Sequence, residues 1–268
     1  MKLTVLVDNH TLIDRYFLGE AGVSYFIEDG EYRVLFDVGY SDVFIANARK
    51  INIDLLQMDH LVLSHGHLDH TWGLEPLIKL YTEAAVEGAP RRRPRLTAHP
   101  LVFAPKLLEG VGDIGMNIPE TMLARHFELQ LSRQPQWLTD RLVFLGEIER
   151  QNDFEAQHPL GRVVIDGREQ DDFLLDDSAL AYRSAKGLVV ITGCSHAGIC
   201  NIVEQAREIC REERVVDIIG GFSPAGCPGK PTARHPGLPG RAVSHKCSCL
   251  PLYRPEGKGG PGRGSESP

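Results

Sequence analysis

The 268-residue sequence predicts an α/β fold, an αββα sandwich of two mixed β-sheets with outer helices. Two observations predict it. The first is the element order at the N-terminal end: strand, hairpin, helix, strand, histidine-rich turn, helix. That order fits half of a sandwich better than a doubly wound parallel sheet. The second is that a strand–turn–helix unit recurs near residue 190, and both strands end on a histidine, His65 in the first and His196 in the second.

Leu3–Val7 reads as a buried strand ending at Asp8-Asn9-His10, where Asn9 is a candidate for lining a pocket or simply for solvating the loop. Val23–Glu28 and Tyr32–Phe36 are strand-like runs joined through Asp29-Gly30, a pair suited to the positive φ of a tight hairpin turn. A helix is expected over Ser41–Lys50, capped by Ser41 or Asp42, with Val43, Ile45 and Ala46 on its apolar side. Leu61–Leu63 is a short buried strand, and a helix starts near Leu74. Pro90-Arg91-Arg92-Arg93-Pro94 reads as a solvated basic connection, with an anion clamp as the alternative. Leu96–Ala98 is strand-like, and His99 before Pro100 reads as structural. Gly110, Gly112 and Gly115 argue against a helix in 105–140 and for a flexible lid or insert. Leu142–Leu145 is a strand. Leu180–Tyr182 and Leu188–Thr192 form a hairpin around Ala185-Lys186-Gly187, and Cys200–Cys210 is an amphipathic helix. Val215–Ile219 is a last strand.

The chemistry concentrates in Ser64-His65-Gly66-His67-Leu68-Asp69-His70, four potential metal ligands within six positions at a strand-to-helix turn. α/β proteins keep their sites at such carboxyl edges of a sheet. Alternation along the extended part of the turn sends His65 and His67 the same way. Imidazoles with a hard carboxylate suit Zn²⁺, one ion or two, with Fe²⁺ and Mn²⁺ as rivals. His65, His67, Asp69, His70 and His196 are therefore the expected metal ligands. Asp69 has a second, catalytic task, since a carboxylate can both ligate and orient or deprotonate a water. Cys194 is soft enough to bind zinc but is expected to pack behind its turn. Asp176 and Asp177 are either exposed turn residues or groups that supply an oxygen or steady an imidazole.

His-Gly-His-Leu-Asp-His resembles the His-x-His-x-Asp-His signature of the metallo-β-lactamase-fold superfamily. With Phe36-Asp37-Val38-Gly39 and Thr192-Gly193-Cys194-Ser195-His196-Ala197-Gly198, the chain from about Leu3 to Phe222 resembles the branch that includes dihydropterin–ribofuranosylaminobenzene phosphate synthases. The resemblance implies that Asp37 braces the metal loop without ligating. It also implies that Arg150 binds an anion, from Gly146-Glu147-Ile148-Glu149-Arg150, in which Glu149 stands where the branch has proline. A histidine is expected after Gly220-Gly221-Phe222 to complete a metal pair, but Ser223 stands there.

Residues 1–222 are expected to form the catalytic domain, and 223–268 a disordered tail rich in Pro, Gly and Arg. A frameshift near codon 223 would account for the change of composition. His245-Lys246-Cys247-Ser248-Cys249 lacks the paired spacing of a zinc knuckle. A net charge of −7 argues against nucleic acid as a partner. The first residues are too weakly apolar for a signal peptide, and no run is long enough to span a bilayer. A cytoplasmic location with reduced cysteines is expected, which disfavours antibiotic defence. The expected function is metal-dependent hydrolysis of a phosphorylated or ester-like, anionic small molecule. The resemblance offers a synthase-like transfer as the alternative. The change at Ser223 offers a metal-binding scaffold without activity. The fold alone does not choose among these.

Overall fold

In the computed structural model, residues 1–12 and 14–221 are described. Ser223 and the expected disordered tail over 223–268 lie outside them. The first sheet grows from β1 (Lys2–Val7), β2 (Ser24–Asp29) and β3 (Tyr32–Phe36), an antiparallel meander whose hairpin turns at Gly30 with φ +62°. Helix α1 (Val43–Lys50) leads to β4 (His60–Val62). The helical turn α2 (Leu68–Thr71) and the longer α3 (Leu74–Val86) precede β5 (Arg95–Ala98). β6 (Lys106–Leu108), β7 (Gly112–Asp113) and α4 (Glu120–His126) come next, and then β8 (Glu128–Leu131). Strands β3, β4, β5 and β8 run parallel, so the six-stranded sheet β1-β2-β3-β4-β5-β8 is mixed, as expected.

The second sheet is built from β9 (Gln136–Trp137), β10 (Leu142–Phe144), and, beyond the hairpin β11 (Arg162–Ile165) and β12 (Arg168–Asp171), β13 (Ala179–Ser184) and β14 (Gly187–Thr192). Helix α5 (Ile199–Cys210) then returns the chain to β15 (Val215–Gly220), parallel to β14. Three apolar clusters define the layers. Leu35, Leu61, Phe44 and Leu77 join the first sheet to α1 and α3. Phe36 and Val62 meet Phe144 and Ile191 between the sheets. Val143, Val190, Ile202 and Ala206 join the second sheet to α5. Helix, sheet, sheet and helix are thus stacked through three buried seams, the architecture the element order predicts.

Two expectations are corrected. Residues 105–140 hold ordered elements rather than a structureless lid. β6 and β7 pair with β11 and β12 in a small four-stranded sheet, and Gly110 and Gly112 take the positive φ of its turn. On α1 the buried side is Phe44, Ile45, Asn47 and Ala48, and Ala46 is exposed. Asn47 is inside because its amide donates to the carbonyls of Leu6 and Leu18 and accepts from Leu18 N–H, which a hydropathy pattern cannot reveal. Asp69 and His70 sit on a helical turn, and the extended part that carries His65 and His67 ends at His67.

The basic loop is committed elsewhere. Arg92 pairs with Asp59 at the start of β4, and Arg93 donates to Ala124 and Phe127 carbonyls. Asp59 and His65 bracket β4 at opposite ends, so this loop serves the far edge of the sheet.

Candidate metal centre

The site forms where the carboxyl ends of β3, β4 and β14 meet the amino end of β13. His65, His67 and His196 come together with ligand atoms within 4.8 Å of one another, and His65, His70 and Cys194 do the same. His65 Nε2 stands 3.0 Å from His67 Nδ1, and His70 Nε2 stands 3.1 Å from Cys194 Sγ. Asp69 belongs to neither tight group. Its side chain is 17% exposed at the rim, with Oδ2 3.6 Å from His70 Nε2.

Asp37 sets the protonation pattern of this cluster. Its Oδ1 accepts Ser64 N–H at 2.7 Å, and its Oδ2 accepts both Ser64 Oγ at 2.6 Å and His70 Nδ1 at 2.7 Å. An ionised carboxylate only accepts, so Ser64 spends its one hydroxyl proton there. The same hydroxyl oxygen, 2.9 Å from His65 Nδ1, must then accept from that ring. The inferred tautomers of His65 and His70 both carry the proton on Nδ1, which leaves Nε2 of each ring as a bare lone pair facing the cluster. Burial, followed by the neighbouring imidazoles, holds His65 well below its ordinary pKa, and burial with His196 and Lys106 does so for His67. Neutral rings with lone pairs converging on one place are what a divalent cation requires, so the residues fit a metal.

The peptide segment Asp176-Asp177-Ser178 clamps the two histidine-bearing loops together. Asp176 Oδ2 accepts Gly66 N–H at 2.8 Å, Asp177 Oδ2 accepts Ala197 N–H at 2.7 Å, and Ser178 N–H reaches Ser64 O. Asp177 Oδ1 lies 3.8 Å from His65 Nδ1, and burial pushes its carboxyl up to about 7. Behind Asp176, the buried Lys106 ammonium bridges Asp176 Oδ1 at 2.8 Å and Asp172 Oδ2 at 3.1 Å. A cavity of about 480 Å³ opens beside this triad, with Leu101, Arg150, Val163 and Phe173 among its walls.

Two non-glycine residues, Asp37 at φ +56° and Ser195 at φ +57°, hold left-handed conformations beside the cluster. Glycines set its closeness of fit. A Cβ on Gly193 would stand 2.3 Å from Ser64 Oγ and 3.1 Å from Asp37 Oδ2. Gly193→Ala is therefore expected to cost about 1–3 kcal/mol, as overpacking of buried sites does. Urea denaturation reads this, and a variant as stable as the parent would refute the tight fit.

One expected site residue is placed outside the cluster, and another residue gains a role. Arg150 ties two loops together, its Nη1 donating to Ile148 O and its Nη2 to the Phe173 and Leu174 carbonyls, while it also lines the cavity and keeps its buried Nε without a hydrogen-bond partner among the described residues. Asn9 is exposed on the loop after β1 and stands outside the buried cluster. Cys194 faces His70 instead of packing behind its turn. β14 ends at Thr192 and Ser195 is left-handed, so strand alternation does not extend to Cys194 and His196; the soft sulfur two positions before a candidate ligand histidine was the signal available in the sequence. His99 is buried and structural. Its Nδ1 accepts Leu101 N–H, and its Nε2 donates to Glu147.

Residues 18–207 match the family model described as the metallo-beta-lactamase superfamily. The chain belongs to the metallo-beta-lactamase superfamily. Among curated relatives it is similar to the 7,8-dihydropterin-6-methyl-4-(β-D-ribofuranosyl)-aminobenzene-5'-phosphate synthase of Methanocaldococcus jannaschii, at 29% identity over 83% of this chain and 77% of the relative. It is 28% identical to the uncharacterized protein MJ0448 of the same organism, over 82% and 78%. Among solved structures it is similar to Tm1679, described as a metal-dependent hydrolase of the beta-lactamase superfamily. The TM-score is 0.66, with 29% identity over 84% of this chain and 79% of that one. The metallo-beta-lactamase fold implies divalent metal binding, and the histidine cluster supplies the candidate ligands. Among the described residues no helix is long and apolar enough to cross a membrane.

Proposed function

We propose that this chain is a metal-dependent, hydrolase-type enzyme acting on an anionic, phosphorylated or ester-like small molecule. The observation that carries the reading is the convergence of the bare Nε2 atoms of His65 and His70 on the cluster that also holds His67 and His196. His65, His67 and His196 would hold one ion, and His70 with Asp69 would contribute to a second. Zn²⁺ suits these donors best, with Fe²⁺ and Mn²⁺ as rivals. A divalent ion bound there supplies Lewis acidity, bringing the pKa of water toward neutrality and polarising an electrophilic oxygen.

The chain's own residues do the rest. Asp37 and Ser64 fix the rings, and Asp176 and Asp177 hold the two loops in register. Asp69, at the solvent-facing rim, orients the attacking water and takes its proton. Asp69→Asn is expected to lower kcat about 10²–10⁴-fold, the usual worth of a positioned base. Retained turnover in that variant would remove Asp69 from the chemistry.

A second reading, transfer instead of hydrolysis, is favoured by the printed activity of the M. jannaschii relative. It would join a dihydropterin unit to a ribosylated aminobenzene phosphate, and both readings use the same ligands. The deciding experiment is elemental mass spectrometry of the purified chain beside His67→Ala, followed by turnover assays on phosphodiesters and on pterin pyrophosphate with the aminobenzene riboside. About two equivalents of metal, lost in His67→Ala, support the centre. Which substrate turns over selects the reaction. Metal without any turnover supports a scaffold, and no metal in folded protein overturns the enzyme reading.

A further inference from the structure

We propose that the basic loop and the end of α4 form a second ligand site, for a small soluble anion carrying one or more phosphate groups. It lies at the edge of the first sheet away from the metal centre and does not depend on the metal-centre reading. A concave pocket of about 330 Å³ opens between the last turns of α3, the loop 90–94 and the end of α4, with Arg91, Arg92, Arg93, Arg125 and His126 on its walls. That volume is at the lower end of the range for small-molecule sites. Among the described residues no carboxylate lines the pocket, in a chain whose net charge is −7.

Two of the arginines build this pocket, and two are left to bind. Gln57 Nε2 donates to Pro90 O and Arg92 N–H donates to Leu56 O, both at 2.9 Å, so the backbone is pinned on either side of Arg91. Pro90 and Pro94 restrict it further. Arg92 is paired with Asp59, and Arg93 Nη2 donates to Ala124 O at 2.8 Å and to Phe127 O, which draws the end of α4 against the loop. Arg91 and Arg125 stand on these two anchored segments. Both are exposed, and among the described residues neither side chain makes a hydrogen bond or an ion pair.

The charge does not cancel locally. The C-termini of α3 and α4 offset about half a charge each and Asp59 one more, which leaves about two of the four guanidinium charges uncompensated. Burial, and then Arg125, lowers the His126 pKa, as a cation-rich place does. Two guanidinium forks on pinned backbone suit the oxygens of a phosphate, which can engage both at once. The Thr82 hydroxyl on the same wall is a further donor. Concavity and size favour a small molecule over nucleic acid, which the net charge also disfavours.

The test is isothermal titration of the full chain, as purified, with pyrophosphate and with inorganic phosphate. It is run at about 0.15 M salt, where exposed charges are screened beyond about 8 Å. Arg91→Ala/Arg125→Ala is expected to weaken one binding event by about 10–100-fold or more, as losing hydrogen bonds to charged groups does. Binding that survives in this variant belongs to the metal centre. Lys186→Ala, which removes a charge at the turn between β13 and β14, is expected to match the parent. Arg91→Lys/Arg125→Lys keeps the charge and loses the forks, so it is expected to bind more weakly too. Thermal denaturation checks that every variant folds, and the lysine pair decides if the alanine pair does not. Unchanged affinity in the lysine pair means general attraction to a basic face and overturns the site. An alanine-pair isotherm that superposes on the parent's overturns it as well. Pelleting with phosphatidylcholine vesicles that carry phosphatidic acid, without pyrophosphate binding, would move the ligand to a lipid headgroup and overturn the soluble-anion assignment.

Discussion

Asp37→Asn is expected to leave the protein folded and to lower its metal affinity about 10–100-fold, the usual cost of losing a group that orients a ligand. The amide keeps one acceptor, which can still take Ser64 N–H in the place of Oδ1. At the Oδ2 position, where Ser64 Oγ and His70 Nδ1 both donate, it presents an N–H₂ group instead. His70 must then accept at Nδ1 and carry its proton on Nε2, which points at Cys194 and the cluster. A protonated nitrogen cannot ligate. Competition titration against a chromophoric chelator measures the loss, with thermal denaturation of the metal-free protein run beside it.

Asp37→Ala separates geometry from tautomer. It leaves Ser64 N–H, Ser64 Oγ and His70 Nδ1 buried without their acceptor, at about 1–3 kcal/mol each before coupling among them is counted. This variant is expected to lose stability as well as metal. If Asp37→Asn bound metal as tightly as the parent, the tautomer argument would fail, and Asp37 would be only a structural brace for the Val38–His70 and Gly39–Gly73 backbone contacts.

The contrast between Asp37 and Asp176 shows what a sequence can disclose. The histidine loop was legible because its ligands are neighbours in the chain and the strand period aims them. His196 was legible because its strand–turn–helix unit repeats the first. The layers followed from element order, because each sheet must bury one face against the other and one against helices. The clamp was not legible. Asp176 meets Gly66 across 110 positions, and no local pattern encodes that pairing. The carbonyls that hold Arg150 were hidden for a related reason: Phe173 and Leu174 lie more than twenty positions along the chain. In 105–140 three glycines suggested a lid or insert, and two of them, Gly110 and Gly112, serve the turn of strands too short to show an alternation. Lys106 gave no signal at all, since a lone lysine after Pro105 reads as surface.

That lysine carries the other large effect. Lys106→Met is expected to destabilise the fold by about 3–5 kcal/mol, because it removes one partner from a buried ionic group and leaves the others uncompensated. The ammonium is 1% exposed and holds Asp172 and Asp176 at once. Burial lowers the Lys106 pKa, but Asp176 and Asp172 outweigh it and leave it raised. The Asp172 carboxyl is also raised, because its burial outweighs the attraction of Lys106. The two directions agree on one physical picture: the lysine is well satisfied, and Asp172 is tolerable only with it. Without the ammonium, the Asp172 pKa rises further. A carboxyl whose folded pKa exceeds its unfolded value contributes stability below the unfolded pKa and loses it as pH rises through the folded one. The deficit of Lys106→Met against the parent should therefore be largest at neutral pH and shrink on acidification. Adding Asp172→Asn to the variant should recover part of it at neutral pH. Urea unfolding of the parent and both variants across that range tests this, and a deficit that is small or independent of pH would mean water reaches the triad. Because Asp176 also holds Gly66 in the histidine loop, the same variant should weaken metal binding without touching a ligand.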